Sequence, residues 1–240
     1  MRDSNSKMAG SGSQKSFRVT RIQTNMIAKR ERQLLTWFCR HLPPFATPDR
    51  LTALSVAGAL LVFGSDIASR SHPVFLWAAA VGYVVNWFGD SLDGSLARFR
   101  SIERPIYGYF LDHNVDALNN LLIMAGLGFT TEVRMDVSLF ALVGYYLLCM
   151  YVFISNHLSG VFQLSFMGFG PTELRLGLVC VSIAMFFSGH VQMPVAGAFV
   201  SIYDAIIFAT GLIFVAIFLT RVLIGIRTFR DPARSGAAAP

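Results

Sequence analysis

The chain has 240 residues and 26.4 kDa, of which 54% are hydrophobic and only 14% charged, at a mean hydropathy of +0.53. Soluble domains carry about 25% charged residues, so this surface cannot face water on all sides, and collagen-like, coiled-coil, disordered and disulfide-stapled classes are excluded. The net charge of +6 comes mainly from one end, where three Lys and seven Arg fall in the first fifty residues.

A basic arm beside hydrophobic spans is expected to lie against anionic lipid headgroups, not nucleic acid. Residues 1–16 are rich in Ser, Gly and Lys and cannot bury enough to order themselves. Residues 1–25 therefore read as a disordered basic tail, with no apolar run and cleavage site of a signal peptide. From Met26 the pattern changes. Ile27, Leu34, Phe38 and Leu42 share one helical stripe among Lys29, Arg30, Arg32 and Arg40, and Pro43 and Pro44 close it. Residues 26–44 are expected to form an amphipathic helix in the membrane interface, although a helix packed on a partner would show the same pattern.

Six apolar segments follow, at about 51–69, 73–96, 106–131, 137–158, 172–189 and 196–222. Residues 137–172 and 176–203 contain no Asp, Glu, Lys or Arg, and Gly168, Gly170 and Pro171 mark the break between spans four and five. The expectation is one all-α integral membrane domain over 45–226, with six transmembrane helices preceded by the interfacial helix and followed by a tail at 227–240. With the N-terminus inside, the outer loops hold only Arg70 and Arg134 of the twenty basic residues. The positive-inside rule then places both termini in the cytoplasm. Cys39, Cys149 and Cys180 are scattered and suggest neither disulfides nor a zinc site.

The informative stretch runs from Asn86 to Asn120. It sets Asp90, Asp93, Asp112 and Asp116 at or inside the ends of two hydrophobic spans, where one Asp at a helix centre costs about 2.5–3.5 kcal/mol. Asp90 and Asp93 are three apart and Asp112 and Asp116 four apart, so each pair shares a helix face. A short loop joins the helices, so they run antiparallel and both pairs can meet at one depth. Gly94, Ala97 and Gly108 lie on the same faces and permit close approach. Arg98, Arg100 and Arg104 are near enough in sequence to offset part of the charge. Four hard oxygen ligands suit Mg²⁺, Mn²⁺ or Ca²⁺, and two such ions could bridge a diphosphate. Structural ion pairs are the simpler alternative.

These residues carry a resemblance. Asp90-x-x-Asp93-Gly94-x-x-Ala97-Arg98, nine further residues, then Gly108-x-x-x-Asp112-x-x-x-Asp116 resembles the signature of the CDP-alcohol phosphotransferases (CDP-alcohol phosphatidyltransferases), with all eight positions filled. The resemblance implies a divalent-metal-dependent membrane transferase of phospholipid biosynthesis. Such enzymes cleave a CDP-linked donor, release CMP and pass the phosphoryl-bearing group to an alcohol. It implies that Asp90, Asp93, Asp112 and Asp116 hold two Mg²⁺ or Mn²⁺ ions and that Asp116 is also the general base. Asp93, Gly94, Ala97, Arg98 and Gly108 would line the cytidine diphosphate, together with Thr47, Pro48, Asp49 and Arg50, which resemble the family's Thr-Pro-Asp/Asn opening of the first span. The site would face the cytoplasm from the inner membrane, open sideways to lipid, and a homodimer is compatible with the resemblance.

Two donor logics remain open. His113 directly after Asp112 resembles the choline/ethanolamine phosphotransferases, whose donor is a CDP-linked small alcohol and whose acceptor is diacylglycerol. Leu96 and Phe99, where those enzymes carry Gln and a second Arg, depart from that pattern, and the compact six-span chain favours CDP-diacylglycerol as donor. His113, Glu173 and Arg175 are candidates for the acceptor side, and Glu173 and Arg175 can equally be interfacial charges. His157 reads more readily as a headgroup-level residue than as a ligand. Asp204, in the outer part of span six, is expected to make a local hydrogen bond. Intramembrane carboxylates also mark ion pathways, so a divalent-cation transporter is the rival function. It needs acids at successive depths, whereas these four cluster at one end.

Overall fold

The computed structural model describes residues 26–159, 171–189, 192–195 and 198–230. The expected tail at 1–25, the break at 168–170, residues 231–240 and the side chain of His157 lie outside the described residues. The elements in chain order are α1 (Met26–His41), α2 (Pro48–Ser69), α3 (Phe75–Phe99), α4 (Pro105–Phe129), α5 (Met135–Ser159), α6 (Pro171–Ser188), β1 (Gln192–Val195), β2 (Ala198–Ser201) and α7 (Ile202–Arg230). The first five apolar segments are helices, and the sixth becomes one from Ile202. Three of the helices, over Pro48–Ser69, Met135–Asn156 and Ile202–Arg227, are long and apolar enough to cross a membrane. Helices α3 and α4 are as long but carry the acidic residues.

Local chemistry sets the helix ends. Proline occupies the first turn of α2, α4 and α6, where the missing N–H has no partner to lose. The Thr47 hydroxyl caps α2 by accepting from the Arg50 N–H at 3.3 Å. The turn from α3 to α4 is built on Ser101, at φ 56°. Its N–H donates to Arg98 O at 3.1 Å and that of Ile102 to Ala97 O at 3.0 Å, the paired closure of a Schellman motif with Ser in the left-handed position. This closure folds the two acidic helices into an antiparallel hairpin.

Helix α2 packs along α3 and α4, α6 adds to α3, and α5 joins α4 to α7. The α2–α3 seam is a backbone-to-backbone contact. A Cβ on Gly89 would stand 2.5 Å from Leu51 O and Ser55 N, and one on Gly82 would stand 2.9 Å from Val62 N. Only the missing side chains let these helices come so close. The core follows in three clusters. At the end bearing the acidic residues are Leu35, Cys39, Leu51, Leu92 and Leu96. Mid-bundle are Ala59, Val62, Tyr83 and Ile123, and at the far end Leu76, Leu127, Val133, Ala141, Met185, Tyr203 and Ile207. Outward, Leu60, Val81, Val84, Val143, Leu212, Ile213 and Leu223 are exposed, a surface suited to acyl chains.

Two expectations need correction. Helix α1 turns Leu35 and Cys39 into the core, with Phe38 and Leu42 half-buried beside them, and leaves Leu34 exposed together with Trp37. The packed face is thus shifted from the stripe read in the sequence, because the Trp87 and Phe88 side of α3 offers the apolar surface. Strands β1 and β2 pair antiparallel, with Met193 opposite Val200, so β2 stands where the sixth span was expected to start. Ser201 then opens α7. Its hydroxyl accepts from the Asp204 N–H at 3.0 Å and Asp204 accepts from the Ser201 N–H at 3.1 Å, a reciprocal capping box.

Candidate active site

The α3–α4 hairpin brings three of the four carboxylates to one point. Oxygens of Asp90, Asp112 and Asp116 lie within 4.8 Å of one another. Their side chains are 18%, 43% and 37% exposed, so the cluster opens to the surface. Asp93, one turn further along α3, is turned toward α2. Its Oδ2 accepts from the Thr52 hydroxyl at 2.6 Å in a buried contact, and its Oδ1 accepts from the Gly94 N–H.

Buried amides support this hairpin from below. Asn86, four residues before Asp90, and Asn119, three after Asp116, are fully buried. The Asn86 amide donates to Ser55 O at 2.9 Å and the Asn119 amide to Ser55 Oγ at 3.1 Å. One turn of α2, carrying Thr52 and Ser55, therefore fastens both acidic helices. The contact is available because Gly89 brings the α3 backbone against Ser55. A buried amide left unpartnered costs about 1–3 kcal/mol, so these bonds fix the register of three helices. On the other side, the Tyr146 hydroxyl donates to Ala117 O at 2.6 Å, tying α5 to the turn after Asp116.

The neighbouring arginines are occupied elsewhere. Arg98 reaches Ser95 Oγ at 3.4 Å, and a Cβ on Gly94 would stand 3.4 Å from its Nη1. Arg100 donates to Ala46 O at 2.6 Å, Leu42 O at 3.1 Å and Pro43 O at 3.0 Å, holding the chain that leaves α1. Arg104 pairs with Asp49 and stacks over the Tyr107 ring at 4.4 Å. The charge that meets the acidic cluster comes instead from α6. Arg175, 8% exposed, pairs through Nη1 with Asp90, and its Nη2 lies 3.5 Å from Asp116 Oδ1. Neutralisation by Arg98, Arg100 and Arg104 is thus corrected to neutralisation by a residue 85 positions away.

The other candidates fall around this cluster. Thr47, Pro48, Asp49 and Arg50 form the first turn of α2, with Arg50 Nη1 donating to Phe45 O at 2.7 Å. Nothing stands within 4 Å of a Cβ built on Gly108, so its face of α4 is open. Ala97 is half-buried on the face of Asp93. His113 Nδ1 lies 2.8 Å from Tyr109 O, and its ring faces Phe153 with centroids 5.1 Å apart. Glu173 is half-buried two residues from Arg175. Ser55, Asn86 and Asn119 carried no assigned role in the sequence, yet Asn86 and Asn119, each about one helical turn from an aspartate pair, are a readable signal.

An all-oxygen donor set of this size fits a hard divalent cation and not a soft one. Asp116 Oδ1 is buried, faces Arg175 Nη2 at 3.5 Å and makes no hydrogen bond among the described residues, so it keeps acceptor capacity for a cation. The acids of α3 and α4 also lie in the halves of these helices next to the hairpin turn, with buried amides below them and no carboxylates continuing along either helix, which does not suit an ion pathway. No curated protein matches the chain. The family profile described as CDP-alcohol phosphatidyltransferase matches residues 45–222, covering α2 to α6 and most of α7. The chain therefore belongs to the CDP-alcohol phosphatidyltransferases, membrane transferases of phospholipid synthesis that use a CDP-alcohol.

Proposed function

We propose that the protein transfers a phosphatidyl group from CDP-diacylglycerol to a small polar alcohol, with release of CMP, at a site facing the cytoplasm. The observation that carries this reading is the convergence of Asp90, Asp112 and Asp116 oxygens within 4.8 Å inside a chain of this family. Helices α2 to α7 are the six spans and α1 is the interfacial helix, with both termini cytoplasmic. The distribution of basic residues supports that orientation. The membrane domain covers 45–226, with tails at 1–25 and 227–240.

Asp90, Asp93, Asp112 and Asp116 are assigned to two divalent ions, Mg²⁺ or Mn²⁺. Such ions, when bound, neutralise the charge that gathers on the departing CMP phosphate. The remaining work falls to side chains. Arg98, exposed beside Gly94, is a charge-assisted donor to the donor's phosphate. Gly94, Ala97 and Gly108 keep that face low enough for the cytidine diphosphate, and the α2 opening at Thr47, Pro48, Asp49 and Arg50 borders it. Asp116 accepts the proton of the attacking hydroxyl. An aspartate is a weak base in water, so its contribution rests on being held against the hydroxyl. Asp93 is steadied by Thr52. His113, Glu173 and Arg175 face the acceptor. A second reading, a CDP-choline or CDP-ethanolamine donor with diacylglycerol as acceptor, is favoured by His113 alone.

The deciding experiment measures CMP release by the purified protein from CDP-diacylglycerol, CDP-choline and CDP-ethanolamine across a panel of alcohol acceptors, with EDTA and with added Mg²⁺ or Mn²⁺. Turnover of CDP-diacylglycerol that stops in chelator and returns with metal is the expected result. Turnover only with a CDP-linked small alcohol and diacylglycerol replaces the donor, and full activity in chelator removes the metals.

A further inference from the structure

Arg175 is the described arginine that reaches the acidic cluster, and it does so from a third helix, while on α4 itself His113 Nδ1 lies 3.7 Å from Asp112 Oδ2. Its side chain is 10% exposed and that of Asp90 18%. It pairs with Asp90 through one nitrogen and stands 3.5 Å from Asp116 Oδ1 through another. Those two residues supply two of the three oxygen donors lying within 4.8 Å of one another. Within that spacing a guanidinium and a divalent ion compete for the same oxygens, since both bring positive charge to one small volume. The alternative cations are committed elsewhere, Arg98 to Ser95, Arg100 to the end of α1 and Arg104 to Asp49.

We propose that Arg175 is a tethered counter-ion: it holds Asp90 and Asp116 together before metal loads, and a divalent ion displaces it in order to bind. This inference rests on the reading of the cluster as a metal site. Two half-buried carboxylates from separate helices repel one another unless a cation stands between them. Arg175 supplies that cation from within the fold, so the ion-free protein keeps α3, α4 and α6 assembled. Exchange then swaps one positive group for another instead of filling an empty anionic hole. Metal affinity is correspondingly lowered by the competition, and the displaced guanidinium becomes free to meet the acceptor's polar group. Arg175 is in this sense a positioning residue acting through the carboxylates.

The test is a Mn²⁺ titration followed by electron paramagnetic resonance on the detergent-purified full chain, paired with thermal melts in EDTA and in Mn²⁺. Wild type, Arg175→Gln, Arg175→Lys and Asp90→Asn are compared. Arg175→Gln is expected to bind Mn²⁺ at least about tenfold more tightly than wild type, the equivalent of a modest change in local charge energy. It is also expected to melt lower than wild type in EDTA and to recover with Mn²⁺. Arg175→Lys is expected to lie between wild type and Gln on both readouts, and it carries the test if the Gln variant does not accumulate. Unchanged or weaker Mn²⁺ affinity in the Arg175 variants, with Mn²⁺ bound normally by wild type, overturns the counter-ion role. So does an EDTA melting point for Arg175→Gln equal to that of wild type. No saturable Mn²⁺ binding in wild type, or saturable binding that Asp90→Asn leaves unchanged, overturns the metal reading and this inference with it.

Discussion

The two ends of the bundle treat a carboxylate in opposite ways. At the far end Asp204 is 4% exposed, and its two oxygens take backbone N–H groups, from Arg134 at 2.8 Å and Ser201 at 3.1 Å. Its acceptors are used up in joining the start of α5 to the cap of α7, and no further ligand is needed. At the other end Asp90, Asp112 and Asp116 crowd within 4.8 Å, Arg175 bridges two of them, and Asp116 Oδ1 has no hydrogen bond among the described residues. A carboxylate satisfied by backbone donors belongs to the architecture. Carboxylates that face one another across a single side-chain cation are held ready for something else. The teaching lies in the partners, since the residue type and the hydrophobic setting are the same.

That contrast can be broken by substitution. Asp116→Asn is expected to lower CMP release by at least about a thousandfold, the combined loss of a base and a ligand. Its melting point should stay near that of wild type; an active variant would remove Asp116 from the chemistry. Asp204→Ala is expected to do the reverse. Two buried backbone donors lose their acceptors, at about 3 kcal/mol together, so the melting point falls while kcat of the folded fraction is retained. A collapse of kcat in that variant at full stability would erase the distinction between the ends.

Thr52→Val sharpens the comparison from inside the site. Asp93 loses its buried hydroxyl donor, worth about 1–1.5 kcal/mol, and kcat/KM should fall by roughly tenfold, with the metal requirement shifted to higher concentration. The smallest effect is expected at Asp66, which is fully buried with neither oxygen hydrogen-bonded among the described residues. Asp66→Asn removes an acid with no such bond to lose, so melting point and turnover should both change little. A large loss in either would show that Asp66 answers to a partner of its own.

Much of the fold was legible because a helix in lipid has to be apolar over its length. The runs that begin near Leu51, Ile106 and Thr172 are helices from Pro48, Pro105 and Pro171. The aspartate pairs were legible for the same reason in reverse, as charges where charge is expensive. The β1–β2 pairing was not, since Ala198, Phe199 and Val200 read equally well as the start of a span. The α1 face was misplaced by the lack of any sequence mark for where Trp87 and Phe88 would stand. The Thr52–Asp93 bond and the Arg175–Asp90 pair join residues 41 and 85 positions apart. Such pairings follow from how α2 and α6 cross α3, which spacing within one helix cannot give.

Helix α4 bears two of the aspartates, yet Ile106 is 90% and Phe110 67% exposed along its opening turns, while its buried residues begin only at Asn119. The opening turns of α4 thus lean on few side chains of the described fold. Whatever medium covers Ile106 and Phe110 therefore bears on where Asp112 stands, and Mn²⁺ affinities measured in two different micelles are expected to differ.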